Sequence, residues 1–173
     1  SISEVNAAVE DDYNGDAKAI YYCQGGITQQ ATTSLWGSEQ QIVSSQVIAD
    51  LNDLAKDDNI KAVVIRINSG GGDAYASEQL WRAVSQLNKK KPVVVSMGGM
   101  AASGAYYMSM GARYVMAQPT TLTGSIGIFG ALPDLSGLIT QKLGVKFDEV
   151  KTNRNSGYQG ALMARPLNAE ELG

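Results

Sequence analysis

The sequence contains no histidine. That absence excludes a Ser-His-Asp triad, a Cys-His pair and most zinc sites built within the chain. A single cysteine leaves no internal disulfide. It is Cys23, in the apolar run Ala19-Ile20-Tyr21-Tyr22-Cys23. With no histidine to activate it, Cys23 reads as a small buried hydrophobe rather than a nucleophilic thiol. No apolar run approaches the roughly 20 residues that a membrane span needs, and no signal peptide is present. The net charge of −3 provides no basic footprint, so nucleic acid is not an expected partner. Neither GxGxxG nor a Walker-type GxxxxGK sequence occurs, and no cofactor or metal is expected.

What remains is an ordinary globular composition. The 173 residues, 44% apolar and 18% charged, suffice for one domain with a continuous core. The first residue is Ser1, and the last stretch, Asn168-Ala169-Glu170-Glu171, has the composition of a helix start. Both ends read as cut, so the chain is taken as a soluble piece of a larger protein. Residues 1–17, polar and acidic, read as a linker or arm; residues 18–173 read as the single domain.

Lys18 to Cys23 reads as a strand, and Thr28 to Gln40, without clean periodicity, as a loop. Val43, Val47, Ile48, Leu51 and Leu54 recur at helical spacing, which predicts an amphipathic helix over Ser44 to Lys56. The β-branched run Ala62 to Ile67 predicts a strand closed by Asn68-Ser69-Gly70-Gly71-Gly72. A second helix carries Ala76, Leu80, Ala83, Val84 and Leu87, ending at Lys89-Lys90-Lys91-Pro92. Pro92 to Met97 and Tyr114 to Ala117 predict further strands. Helices are expected from about Ser103 to Met110 and over Leu135 to Leu143. Apolar strands alternating with helices indicate an α/β domain, its parallel sheet covered on both faces.

Three glycine-rich turns carry the chemical interest. In Asn68-Ser69-Gly70-Gly71-Gly72, consecutive glycines after a strand permit positive φ and close approach to a ligand. Their N–H groups suit an anion or oxyanion, though a plain tight turn remains open. In Met97-Gly98-Gly99-Met100-Ala101-Ala102-Ser103-Gly104-Ala105, a serine among small residues opens a helix. Small neighbours leave room for substrate, and the following N–H can hold a tetrahedral oxyanion. The alternative is a simple N-cap serine. The third, Thr120-Thr121-Leu122-Thr123-Gly124-Ser125, can equally be a set of turn-formers.

The stretches Arg66 to Gly72, Lys90 to Ser109 and Pro119 to Gly130 resemble the signal peptide peptidase A (protease IV) family of the ClpP/crotonase-like superfamily. The resemblance runs from about Lys18 to about Lys151. It implies repeated β-β-α units around a mostly parallel sheet, and a Ser/Lys-dyad protease that degrades signal-peptide remnants. On this mapping Ser103 is the nucleophile. Gly104 with Gly71 or Gly72 forms the oxyanion hole, and Ser125 holds the lysine amine. One departure is Gly70, where the family often has proline.

A second departure concerns the base: Ser156 aligns where short family members carry the lysine. Long members split the dyad between an amino-terminal half with the lysine and a carboxy-terminal half with the serine. The chain resembles the latter half. The resemblance therefore implies a lysine-bearing amino-terminal domain of the parent as partner and a homo-oligomer. It also implies a hydrophobic peptide substrate and a parent anchored at the bacterial inner membrane, facing the periplasm. Met100, Tyr106, Tyr107, Ile128 and Phe129 are candidate groove residues, with core packing the alternative for each. Open alternatives are a self-contained dyad using Lys151, an acyl-CoA enzyme of the crotonase type and a non-catalytic assembly module.

Overall fold

The computed structural model describes residues 16–31, 40–128, 133–153, 156 and 163–170. The chain divides into two compact units, residues 1–128 and 129–173. Ser103, Ser125, Gly71, Gly72 and Gly104 lie in the first.

The first unit is built on a parallel sheet of β1 (Ala17–Gln24), β4 (Ile60–Ser69), β5 (Val93–Ala102) and β6 (Tyr114–Met116), in that spatial order. A further strand, β7 (Leu122–Gly124), pairs in parallel with the far end of β5. A separate parallel pair joins β2 (Gly26–Thr28) to β3 (Gln41–Val43). Among the described residues three helices connect them: α1 (Ser44–Lys56), α2 (Ala74–Lys90) and α3 (Gly104–Ser109).

The helices form where apolar periodicity places them. Val47 and Leu51 of α1, and Ala76, Leu80, Val84 and Leu87 of α2, turn one stripe inward. They pack on Tyr21 and Cys23 of β1, Val63, Ile65 and Ile67 of β4, and Val93, Val95 and Met97 of β5. Asp73 opens α2 by accepting the Ala76 N–H at 2.7 Å. Lys91 closes the far end, its amine donating to the carbonyl of Leu54 at 2.6 Å and to that of Asp57.

Two expectations change. Among the described residues of this unit the helices lie on one sheet face. On the other, Ile20, Tyr22, Tyr114 and Met116 stay exposed, with no helix of this unit's described residues over them. The strand expected to end at Met97 runs on to Ala102. The register steps from Ile67↔Met97 to Ser69↔Ala101, so Gly98-Gly99 is a bulge inside β5 rather than a turn after it. Asn68 fills that bulge, its Oδ1 accepting the Met100 N–H at 3.0 Å. A Cβ on Gly98 would press on Asn68 and on the Ile67 carbonyl. The loop expected over Thr28 to Gln40 contains the end of β2, and its residues 32–39 lie outside the described residues, as do residues 1–15 of the expected arm.

In the second unit the helix expected over Leu135 to Leu143 is a six-residue segment, Gly137–Lys142. It is wound wider than an α-helix, with Leu143 N–H donating to Leu138 O at 3.0 Å. Among the described residues no helix is long and apolar enough to cross a membrane.

Candidate active site

The glycine-rich turns meet at the carboxyl ends of β4, β5 and β7, the edge where parallel α/β sheets place their ligands. β5 ends at Ala102 and α3 begins at Gly104, with Ser103 alone at the corner. Its backbone sits at φ 52°, ψ −119°, outside every region that L-residues favour. Holding a non-glycine residue there costs about 1–3 kcal/mol and persists only where neighbours dictate it. Here they do. Ser103 N–H donates to Gly124 O at 2.8 Å, and Ser103 O accepts the Tyr107 N–H at 2.8 Å. Although Ser103 occupies the N-cap position of α3, its hydroxyl makes no capping bond. The half-buried side chain is left for something other than the helix.

Gly71 presses on this corner. It adopts φ +96°, and a Cβ there would lie 2.7 Å from Gly104 N and 2.8 Å from Ser103 Cβ. Only glycine lets the two backbones approach so closely. Gly71 N–H is itself committed, donating to the buried Ser69 Oγ at 3.0 Å. Gly72 is fixed by the strand-like bridge to Ile27: Ile27 N–H donates to Gly71 O, and Asp73 N–H donates to Ile27 O. The N–H groups of Gly72 and Gly104 have no acceptor among the described residues. Of the two glycines expected to share the oxyanion role, Gly72 is therefore the one with a free donor.

Ser125 follows the third turn. The register pairs Ala102 with Gly124, so Ser103 and Ser125 are the next residues along two hydrogen-bonded strands. Ser125 has φ 51°, and these two serines are the only non-glycine residues with positive φ among those described. The threonines before it are more than turn-formers. Thr121 Oγ1 donates to Gly98 O, and Thr123 Oγ1 to Ala101 O, both at 2.8 Å. They clamp β7 to β5 and so set Ser125 beside Ser103.

The proposed groove residues separate. Met100 and Ile128 are exposed, Ile128 at 83%, whereas Tyr106 packs against the core. Tyr107 stacks on Trp81 at 5.9 Å between ring centroids and donates to Glu78, while Phe129 lies outside the described residues.

Among the described residues of the first unit, no lysine stands at this edge. The first unit has six lysines: Lys18, Lys56, Lys61, Lys89, Lys90 and Lys91. Lys18 and Lys61 lie at the starts of β1 and β4, and the rest at the carboxyl ends of α1 and α2. All are at the opposite edge of the sheet. At a rise of about 3.3 Å per residue, roughly 26 Å of strand separates Lys61 from Ser69. In the second unit, Lys151 Nζ is ion-paired with Glu149 at 3.3 Å. Ser156 Oγ accepts the Thr152 N–H at 3.0 Å within a local turn.

Residues 85–171 match the description of Peptidase family S49, and residues 15–123 that of Clp protease. The chain belongs to peptidase family S49. Among curated S49-type relatives it is 37% identical to the chloroplastic serine protease SPPA of Arabidopsis thaliana, over 85% of this chain and 21% of that protein. It is 46% identical to Protease 4 of Haemophilus influenzae, over 66% of this chain and 19% of that protein. Identity to Protease 4 of Salmonella typhi is 45%, over 80% and 22%. The chain thus spans about a fifth of the length of these relatives. The S49 chain has an α/β architecture built on a parallel sheet, and most of that sheet lies within the segment matching Clp protease.

Asn68, Ser69, Thr121 and Thr123 were inside the quoted motifs, but nothing in their spacing marked them as the residues that brace the turns. Ser69 in particular is visible only once its hydroxyl is seen under Gly71.

Proposed function

We propose that this chain carries the nucleophilic half of a Ser/Lys-dyad endopeptidase acting on cleaved signal peptides and similar hydrophobic peptides. Ser103 is the nucleophile, and the lysine comes from another domain of the parent protein. The observation that carries the reading is Ser103 itself, its backbone held in a disfavoured conformation against Gly71 and the Gly124 carbonyl while its hydroxyl makes no capping bond.

In the first step Ser103 Oγ attacks the scissile carbonyl carbon while its proton passes to the neutral lysine amine. The oxyanion that forms is held by the N–H groups of Gly72 and Gly104. The C–N bond then breaks, the leaving amine takes the proton from the lysine ammonium, and an ester on Ser103 remains. Water attacks that ester, lysine again taking and returning the proton, and the freed carboxyl product leaves Ser103 as it began. A lysine does this only where its pKa falls from about 10.4 towards neutrality. The hydroxyl of Ser125, beside Ser103, orients that amine.

The six lysines of the first unit stand at the wrong edge of the sheet, which supports a base from outside it. Lys151, ion-paired with Glu149, would have to give up that partner to serve. Met100, whose sulfur lies near Gly70, and Ile128, three residues past Ser125, are exposed and suit an apolar substrate. The parent is read as a homo-oligomer at the bacterial inner membrane, facing the periplasm.

The test is peptidase activity of the natural-length protein on a hydrophobic signal-peptide-like substrate. Ser103→Ala is expected to abolish it, and Ser125→Ala to lower kcat at least tenfold, about the effect of mispositioning a general base. Full activity in Ser103→Ala would overturn the reading.

A further inference from the structure

We infer that Ser69 is a positioning residue for the oxyanion hole: its hydroxyl locks the Gly70–Gly72 turn in the orientation that leaves Gly72 N–H free. The inference rests on the Ser103 reading above and deepens it.

Ser69 is the last residue of β4 and is 4% exposed. A buried hydroxyl needs a partner, and this one accepts the Gly71 N–H at 3.0 Å, two residues along the chain. The bond turns the 70–71 peptide inward, under the turn. Gly71 then takes φ +96° and lies against Ser103 and Gly104. The following amide, that of Gly72, is left without an acceptor among the described residues.

The bridge to Ile27 holds the far end of the turn through Gly71 O and Asp73 N–H, while Ser69 Oγ is the side chain that holds the 70–71 peptide. Gly70, Gly71 and Gly72 are three successive residues without side chains, the most flexible backbone a chain can offer. A proline at position 70 would fix φ by its ring, and Gly70 forgoes that restraint. A Cβ on Gly70 would meet nothing within 4 Å except Met100 Sδ, at 3.3 Å, the far end of a flexible side chain. A proline at 70 would restrain φ of residue 70, whereas Ser69 Oγ holds the 70–71 peptide directly; both narrow the same turn, and this chain relies on the second.

The role is separable from packing by an isosteric pair. In the natural-length protein, Ser69→Thr keeps the hydroxyl and Ser69→Val replaces it with a methyl of equal size, so any overpacking is common to both. The valine variant is expected to have a kcat about tenfold below the threonine variant, as for loss of one positioning hydrogen bond, with KM differing less than about twofold. Adding Gly70→Pro to Ser69→Val is expected to recover most of that kcat. Equal kcat in the two variants, a difference carried by KM alone, or no recovery with proline overturns the inference. Ser103→Ala measured alongside separates the two ideas. If it is inactive while threonine and valine at 69 are equal, only the role of Ser69 fails; if it stays active, the site reading itself fails.

Discussion

Gly71 and Ser103 touch through their backbones: a Cβ added to Gly71 would stand 2.8 Å from Ser103 Cβ, closer than real side chains come. The contact joins the end of β4 to the end of β5 and makes one site of two turns that are remote in sequence. Gly71→Ala is therefore expected to push Gly104 and Ser103 apart. In the natural-length protein it should lower kcat by about 100-fold or more, the usual cost of losing an oxyanion donor's alignment. Gly26→Ala, where nothing lies within 4 Å of the new Cβ, is the matched control and should stay active.

The threonine clamps give a second expectation. Thr121→Val and Thr123→Val each remove one hydroxyl bond to a β5 carbonyl. Each should cost about 1 kcal/mol in denaturant unfolding. Both should also lower activity, because Ser125 is held beside Ser103 only through β7. A stability loss with full activity would show that Ser125 does not need that placement.

Most of the framework was legible in the sequence because it follows from apolar periodicity. Ser44–Lys56 is a helix with the boundaries its spacing predicted, and the expected runs grew at each end by one residue in β1 and two in β4. What was not legible depended on tertiary partners. The Gly98-Gly99 pair has the composition of a turn, and only Asn68, across the sheet, makes it a bulge within a strand. β7 is three residues of a threonine-rich stretch, and its strand character comes wholly from pairing with β5. Within the site, Ser103, Ser125 and Gly104 came from the family resemblance. The preference for the Gly72 donor came from a side-chain bond on Ser69 that no pattern encodes. The open sheet face escaped for a related reason: continuous apolar strands do not say how many layers one chain supplies.

Cys23 gives a prediction independent of catalysis. Burial, with a smaller contribution from the nearby Asp50 carboxylate, pushes its thiol up to about 12. The folded protein should therefore resist thiol reagents at pH 8 and react fully once unfolded. The raised value also has a sign for stability. The unfolded chain sheds this proton at an ordinary thiol pKa of about 8.5, so the stabilisation is complete below that pH and is lost as pH rises towards 12. Cys23→Ala should show a shallower alkaline decline in unfolding measurements.

Asp73 provides the acidic counterpart. The Ala76 N–H, then the Gln29 side chain, hold its carboxyl below the usual carboxylate range. Its contribution is present above about pH 3.9 and is lost as pH falls through the lower folded value. Asp73→Asn keeps a capping oxygen and removes the charge. The variant should be less stable than the parent sequence at pH 7, and the gap should narrow as pH falls below about 3.9. A gap that does not change with pH would assign the effect to the hydrogen bond rather than to the charge.

The central claim is that this chain holds the nucleophile and its oxyanion donors while the base lies elsewhere in the parent. The most direct test compares residues 1–173 alone with the natural-length protein on one hydrophobic peptide substrate, each with and without Ser103→Ala. The account expects the isolated chain to be inert, the natural-length protein to be active, and that activity to vanish with Ser103. Ser103-dependent cleavage by residues 1–173 alone would contradict it, because a base would then lie among these residues.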